Sequence, residues 1–209
     1  MTFMRKLYMS TSSNNRSSSY AIDPLFLERW SPRAFDENAV ISEQELMTIF
    51  EAASWAPSSF NSQPWRFIYA RRNTPEWLRM FDLLVPMNQA WAARASALVV
   101  LVSAKTAQPP GAPGPIPSYS HSLDAGAAWA CLALQATRLG WYTHAMAGFN
   151  VEGAYEALNV PAEAFRVETT IAIGRLGDKS VLPPPLQERE QPNGRRPVAE
   201  LVKEGQFQP

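Results

Sequence analysis

The spacing of apolar residues divides the chain into helices and strands separated by polar and proline-rich segments. Apolar side chains recur at helical spacing from Leu46 to Ala53, and Ser42 with Glu45 forms a capping box in front of them. The pattern therefore predicts a helix that begins after Ser42 and ends near Pro57, because proline cannot continue a helix.

Three segments have the pattern of β-strands. In residues 65–69, aromatic side chains occupy every second position, which is typical of a strand with one more apolar face. Residues 98–102 are apolar at every position, which fits a strand covered on both faces, although a short buried helix has the same pattern. Residues 167–173 alternate again and predict a third strand.

Three further helices are predicted. Thr74-Pro75 would open one whose apolar face runs to residue 85. The longest covers residues 122–139, rich in Ala and Leu, with Gly140 where a C-terminal cap belongs. A short amphipathic helix covers residues 152–158.

Two proline-rich stretches interrupt this pattern. Residues 105–118 hold five prolines and two glycines, which no regular element tolerates, so they are expected to form a long loop. Beyond Gly177 the chain again becomes rich in proline and ends in a short apolar segment, residues 198–202. Such an extended tail is a candidate for contacting another subunit.

Together these elements predict one α+β domain over residues 20–209, with few strands and several helices. Their alternation is too irregular for a doubly wound parallel sheet. Residues 1–19 are polar and Ser-rich, and in isolation they would bury too little apolar surface to offset the entropy of ordering. We therefore expect them to form an N-terminal arm.

Charge and composition exclude several classes of function. Nineteen Lys and Arg residues balance 19 Asp and Glu residues, so no net charge attracts nucleic acid. One cysteine and two histidines cannot build the usual four-ligand zinc site, and no metal site is predicted. No apolar run is long enough to span a membrane, and no apolar block follows the N-terminal basic residues as in a secretory signal. A soluble, cytoplasmic protein is expected.

The single cysteine and the two histidines are weak candidates for catalysis. Cys131 lies within the apolar helix, where it reads as a small buried hydrophobe. His121 and His144 stand alone, and a lone histidine is more often a structural hydrogen-bonding residue than a base. Glycine-rich nucleotide loops and the Gly-x-Ser-x-Gly pattern are absent from the sequence.

Three polar clusters are candidate binding elements. Arg29, Trp30, Ser31 and Arg33 gather two guanidinium groups, a hydroxyl and an aromatic, which suits a phosphate monoester but also suits a solvated surface. Residues 193–196, Asn-Gly-Arg-Arg, equally fit a phosphate site or a charged tail.

The third cluster lies between the first helix and the first strand. Residues 57–65 form a dense run of short donors and acceptors, whose hydroxyl, amide and backbone groups can meet the polar edge of a planar ligand; the run includes Pro57, Ser58, Ser59 and Asn61. An ordinary helix-to-strand turn would use the same residues to satisfy its own backbone.

In their order along the chain, these clusters resemble the nitroreductase family of FMN-dependent oxidoreductases, over about residues 27–202. The Arg-x-Ser-x-Arg element at residues 29–33 and the Ala-Pro-Ser-Ser-x-Asn-x-Gln-Pro-Trp element at residues 56–65 carry the likeness. Further matches are Leu-Gly-Trp at 139–141, Met-Ala-Gly-Phe at 146–149, Ile-Ala-Ile-Gly at 171–174 and Arg-Arg-Pro at 195–197. Trp30, the proline-rich loop and the Ser-rich arm depart from the family pattern.

The resemblance implies a mostly antiparallel central sheet flanked by helices, in a homodimer with exchanged terminal arms and two FMN molecules at the interface. Phosphate and ribityl contacts would come from Arg29, Ser31, Arg33 and Arg196, with Trp30 and Arg195 as their neighbours. The partner chain would supply Pro57, Ser58, Ser59 and Asn61. Asn88, just before a helix, would bond the pyrimidine edge. Ala147 and Gly148 would offer backbone N–H groups near the ring, with Met146 as a further cofactor-binding residue.

The implied activity is hydride transfer from NADPH or NADH through bound flavin to nitroaromatic, quinone or similar electron-poor acceptors, by a ping-pong mechanism. No side chain is then needed as nucleophile or general base, which agrees with the scarcity of His and Cys. A relative with altered chemistry, such as reductive dehalogenation or flavin cleavage, and a flavin-binding module without turnover stay open as alternatives.

Overall fold

A computed structural model describes residues 14–207, in which four long strands form one antiparallel sheet with helices on both faces. Residues 1–13, most of the predicted arm, lie outside the described residues. The strands are β1 (Trp65–Arg71), β2 (Ala97–Ala104), β3 (Thr106–Ala107), β4 (Ile116–Pro117), β5 (Tyr142–Met146) and β6 (Phe165–Gly174). The helices are α1 (Leu25–Glu28), α2 (Glu43–Ser54), α3 (Pro75–Phe81), α4 (Pro86–Ala92), α5 (His121–Arg138), α6 (Val151–Ala157), α7 (Pro184–Gln187) and α8 (Val198–Leu201), with 3₁₀ turns at Ser59–Asn61 and Lys179–Val181.

Strand β2 lies inside the sheet, whose order is β1-β2-β6-β5. Leu98, Val100 and Val102 point into the core on one face, while Val99 and Leu101 point into the core on the other. All five side chains are almost fully buried. The predicted strand covered on both faces is therefore confirmed, and the helical alternative is wrong.

The two faces of the sheet carry different helices. Helices α2 and α5 pack on one face, where Leu46 and Leu132 are completely buried. On the other face, α3 and α4 contribute the buried rings of Trp77 and Trp91. The predicted α+β class with a mostly antiparallel sheet is confirmed, because all three pairings of the long strands are antiparallel.

The capping box predicted for the first helix is present. The Ser42 hydroxyl accepts from the Glu45 backbone N–H at 3.2 Å, and the Glu45 carboxylate accepts from the Ser42 backbone N–H at 2.9 Å. The same carboxylate accepts from Trp141 Nε1 at 2.9 Å, and Arg175 lies 3.7 Å from it. These donors lower the pKa of Glu45, and the Ser42 backbone N–H has the largest effect. Because Arg175 directly follows β6, its contact with Glu45 connects the start of α2 to the end of that strand.

The region between α3 and β2 differs from the prediction. Helix α3 ends at Phe81, because Leu84 forms a β-bridge with Phe149 and the Val85 N–H donates to the Gly148 carbonyl at 3.1 Å. A separate helix, α4, then begins at Pro86. Asn88 lies inside this helix, so its expected position just before a helix was wrong.

The proline-rich loop contains a short hairpin that its composition did not predict. Strands β3 and β4 pair Thr106 with Pro117 and Ala107 with Ile116. Pro117 is tolerated because the hairpin has only two strands and no third neighbour requires its missing N–H. Within residues 14–207, no helix has the length and apolar character needed to cross a membrane.

Candidate functional site

The arginine-containing segment after α1 lies beside strand β5. Helix α1 ends at Glu28 with Arg29 as its C-cap, and the segment continues to the buried Phe35, which forms a β-bridge with Leu176. Between these points the Pro32 carbonyl accepts from His144 Nδ1 at 2.9 Å. The backbone of residues 29–35 is therefore held against the edge strand of the sheet.

A cavity of about 500 Å³ opens beside this segment. Trp30 forms part of its wall, and its ring meets Tyr142 edge-on with centroids 6.3 Å apart. The lining residues are Arg16, Arg29, Trp30, Ser31, Arg33, His144, Glu188, Arg189, Gln191, Asn193 and Arg195. Five guanidinium groups and one carboxylate thus share one space, which we call the cationic cavity.

A buried carboxylate from the C-terminal segment holds the wall of the cationic cavity. Glu190 Oε1 accepts from the backbone N–H groups of Arg33 at 2.6 Å and Ala34 at 2.7 Å. Its Oε2 lies 3.9 Å from Arg33 Nη1 and has no hydrogen-bond partner among residues 14–207. The Glu190 side chain is only 3% exposed. It holds the backbone of Arg33 by a hydrogen bond and places a buried negative charge beside the Arg33 guanidinium.

The arginines of the cationic cavity are electrostatically crowded. Burial lowers the pKa of Arg29, and the charge of Arg195 adds to that effect. Burial also lowers the pKa of Arg33; Glu190 opposes this shift, and Arg189 reinforces it. An anion placed in the cavity would relieve this repulsion and accept from several guanidinium N–H groups at once.

His144 forms part of the same wall from strand β5. Its ring packs on Trp91 with centroids 4.8 Å apart, and its Nδ1 donates to the Pro32 carbonyl. Burial lowers the pKa of His144 to about 4, and nearby Arg33 acts in the same direction. The imidazole is therefore neutral near pH 7 and joins β5 to the arginine segment.

The predicted phosphate residue Arg196 lies in a different place from its neighbour. Arg195 lines the cationic cavity, whereas Arg196 lines an adjoining cavity of about 790 Å³ between the N-terminal residues 14–27 and the C-terminal residues 191–198. Arg16, Gln191, Asn193 and Arg195 line both spaces. Within one chain, Arg195 thus joins Arg29, Ser31 and Arg33 more closely than Arg196 does.

The polar loop before β1 is ordered by a buried carboxylate of α5. Asp124 Oδ2 accepts from the Ser59 backbone N–H at 3.2 Å and from the Ser120 hydroxyl at 3.0 Å. Phe60 and Asn61 both have φ of 53°, a left-handed conformation that is strained for side chains other than glycine. Their side chains are exposed. No residue from 57 to 63 lines the cationic cavity.

Asn88 and Gly148 form a second polar contact near the end of β5. Asn88 Nδ2 donates to the Gly148 carbonyl at 2.9 Å. A Cβ at residue 148 would lie 2.8 Å from Asn88 Nδ2 and 3.1 Å from the Val85 side chain, so glycine permits this approach. Met146 is buried and Ala147 is exposed beside the pair. The structure therefore brings the predicted residues Asn88, Met146, Ala147 and Gly148 together.

Comparisons with known proteins identify the family. The profile of the Nitroreductase family matches residues 27–84. A crystal structure described as an oxidoreductase containing FMN is 47% identical, covers 94% of this chain and 98% of its own, and superposes with a TM-score of 0.88. The chain belongs to the nitroreductase family.

Other members of this family are more distant. A nitroreductase family protein from Streptococcus pneumoniae shares the fold, with a TM-score of 0.66 at 21% identity over 87% of this chain and 98% of its own. The oxygen-insensitive NADPH nitroreductase of Helicobacter acinonychis is 36% identical over 81 residues, which are 39% of this chain and 38% of that protein. Members of the nitroreductase family are oxidoreductases, and this chain is an oxidoreductase by its membership.

Sequence analysis did not identify several residues that line the cationic cavity or support its wall. Glu190 binds backbone N–H groups more than 150 residues away, and no local motif signals such a contact. Arg16 and Arg189 belong to segments that the family likeness did not use. His144 was read as structural; its hydrogen bond to Pro32 agrees with that reading, although it also faces the cavity.

Removing the Glu190 side chain should destabilise the protein more than neutralising its charge. Glu190→Ala leaves two backbone N–H groups without their acceptor, and we expect a loss of about 2–5 kcal/mol in the free energy of unfolding in urea. Glu190→Gln keeps an acceptor oxygen and should lose less. An alanine variant within about 0.5 kcal/mol of wild type would contradict this role.

His144 should make stability depend on pH in a defined window. The unfolded chain binds a proton near pH 6.5, but the folded chain does so only near pH 4. Between these values the unfolded state binds more protons, so stability falls as the pH falls, by up to about 3 kcal/mol. His144→Asn keeps an N–H donor without this titration. Between pH 6.5 and 4, we expect the free energy of unfolding to fall less steeply in His144→Asn than in wild type. Equal slopes in the two proteins would contradict the role of His144.

Proposed function

We propose that this nitroreductase is an FMN-dependent enzyme that moves a hydride from NADPH or NADH through bound flavin to a nitroaromatic, quinone or similar electron-poor small molecule. The observation that carries the proposal is the cationic cavity, which gathers Arg29, Ser31 and Arg33. The name of the 47% identical structure, an oxidoreductase containing FMN, supports the cofactor. The name of the Helicobacter NADPH nitroreductase supports the donor.

The residues of the cavity fit a phosphate monoester. Guanidinium N–H groups and the Ser31 hydroxyl are donors that phosphate oxygens accept. The one buried carboxylate nearby, Glu190, is already bonded to two backbone N–H groups. We therefore assign the phosphate and ribityl chain to Arg29, Ser31, Arg33 and Arg195, beside Trp30, and keep Arg196 as a further candidate because it directly follows Arg195.

The flavin ring is assigned to the far end of β5. His144 lines the cationic cavity, and Met146 lies two residues further along the same strand, a rise of about 7 Å. Ala147 and Gly148 follow, and the bond from Asn88 to the Gly148 carbonyl fixes the side-chain amide. In the proposal, this amide contacts the pyrimidine edge of the ring, and the Ala147 and Gly148 N–H groups face its polar atoms.

The polar loop before β1 lies too far from the cationic cavity to serve the same flavin within one chain. Strands β1 and β5 are opposite edges of the sheet, about 14 Å apart at three strand spacings. Trp65 aligns through β2 with Arg166, whereas His144 aligns with Ala172, about 20 Å further along β6. This separation supports a homodimer in which the partner chain supplies Pro57, Ser58, Ser59 and Asn61.

The redox chemistry in this proposal comes from the flavin, so the protein's residues need only bind, orient and admit the two substrates in turn. The arginines hold the phosphate, and the contact between Asn88 and Gly148 orients the backbone beside the ring. Donor and acceptor would use the same exposed ring face, which gives ping-pong kinetics. No side chain is assigned as nucleophile or general base.

The first test is flavin binding and reduction. Purified protein supplemented with FMN should be yellow, and anaerobic NADPH or NADH should bleach it. Arg33→Ala should bind FMN about 10-fold or more weakly, because a charge-assisted bond to phosphate is lost. Arg79→Ala, on an exposed face of α3, is the matched control.

Three outcomes would contradict parts of this proposal. Protein that stays colourless with added FMN would exclude the cofactor. Bound flavin that neither nucleotide reduces would favour the flavin-binding module without turnover. Unchanged FMN affinity in Arg33→Ala would show that the phosphate lies elsewhere.

A mixed dimer tests whether each site is shared between chains. We expect Arg33→Ala and Asn61→Ala homodimers to bind FMN weakly. Co-expression with two affinity tags yields a heterodimer in which one site combines an intact Arg33 with an intact Asn61. That heterodimer should bind one FMN with wild-type affinity, measured by titration of the flavin fluorescence. If both residues belonged to a site within one chain, the heterodimer would have no intact site.

A further inference from the structure

Residues 14–20 fall outside the family likeness and line the adjoining cavity of about 790 Å³, and Arg16 among them also lines the cationic cavity. Arg16 Nη1 donates to the Arg29 carbonyl at 2.9 Å and to the Leu27 carbonyl at 3.0 Å. Its Nη2 donates to Asn193 Oδ1 at 3.2 Å. Asn14 Nδ2 also donates to the Leu27 carbonyl, at 3.0 Å. This N-terminal segment therefore joins the arginine segment after α1 to the C-terminal segment.

The guanidinium of Arg16 lies where positive charge is already concentrated. It lines the cationic cavity together with Arg29 and Arg195. Burial lowers the pKa of Arg16, and the charges of Arg195 and then Arg29 add to the shift. A neutral side-chain donor could bond the Leu27 and Arg29 carbonyls equally well, and it would not add to the repulsion. Anion binding in the cationic cavity would explain why a positively charged side chain occupies the position of Arg16.

We propose that Arg16 is a phosphate-binding residue of the cationic cavity, supplied by the N-terminal segment rather than by the elements that carry the family likeness. This inference rests on the proposed function, and its ligand is the phosphate monoester of the flavin mononucleotide. Arg16 adds positive charge to the site and holds the carbonyl of Arg29 and the side chain of Asn193 in place around it.

The experiment compares FMN with riboflavin, which has the same ring and ribityl chain but no phosphate. Affinities of the apoprotein for both flavins are measured by fluorescence titration for wild type, Arg16→Gln and Arg16→Lys. Arg79→Gln, a substitution of an exposed arginine outside both cavities, is the control. The decisive quantity is the ratio of FMN affinity to riboflavin affinity.

We expect Arg16→Gln to lower this ratio about 10-fold, as for the loss of a charge-assisted bond, and Arg16→Lys to lower it less because the charge remains. Arg79→Gln should leave the ratio unchanged. An equal loss of both flavins in Arg16→Gln would show a structural tether only and would overturn the inference. So would a lysine variant as weak as the glutamine variant.

The result separates this inference from the proposed function. If wild type binds FMN no better than riboflavin, the assignment of phosphate to the cationic cavity itself fails. If wild type prefers FMN strongly and Arg16→Gln keeps the full preference, the proposed function stands and the role of Arg16 is wrong.

Discussion

The concentration of positive charge in one cavity is the constraint on which the proposed site depends. Its arginines come from three parts of the chain, before α1, directly after it, and after α7. Like charges that share one cavity repel each other, and partial burial makes the charges of Arg16, Arg29 and Arg33 less favourable still. The wall is held together instead by backbone groups: Glu190 binds the N–H groups of Arg33 and Ala34, and Arg16 binds the Arg29 carbonyl.

The sheet determines how far the site can extend. Strand β2 is buried on both faces and keeps the edge strands β1 and β5 apart. Strand β5 connects the cationic cavity at His144 with the contact between Asn88 and Gly148. The polar loop before β1 is anchored instead to Asp124 on α5. One rigid scaffold thus presents two incomplete half-sites, which a second copy of the chain would complete in the proposed dimer.

Local patterns in the sequence were sufficient for most of the fold. The capping box at Ser42 and the continuous apolar run of β2 depend on neighbouring residues, so period and residue type identify them. The hairpin of β3 and β4 was missed, because Pro117 lies in a segment whose prolines were expected to exclude regular structure, whereas the structure uses it in a two-stranded pair. The helix expected after Asn88 is α4, which begins earlier, with Pro86 in its first turn.

The candidate site was predictable only where its residues lie close together in sequence. Arg29, Ser31 and Arg33 form a local motif, and the structure keeps them on one cavity wall. Glu190 and Arg16 reach that wall through contacts with distant backbone groups, which leave no periodic signal. Distinguishing Arg195 from Arg196 likewise requires the path of the C-terminal segment, since Arg195 lines both cavities and Arg196 lines only the adjoining one.

The arginines that suit the cavity for anion binding lower the stability of the protein when no anion is bound. Without an anion, the repulsion among Arg16, Arg29 and Arg195 disfavours the folded arrangement of the termini. In the proposed complex, a bound phosphate would reverse the sign of that contribution, because each guanidinium would then face an opposite charge in a partly buried space. The same groups that weaken the protein alone would therefore strengthen it with its cofactor, as expected where residues are retained for binding rather than for folding.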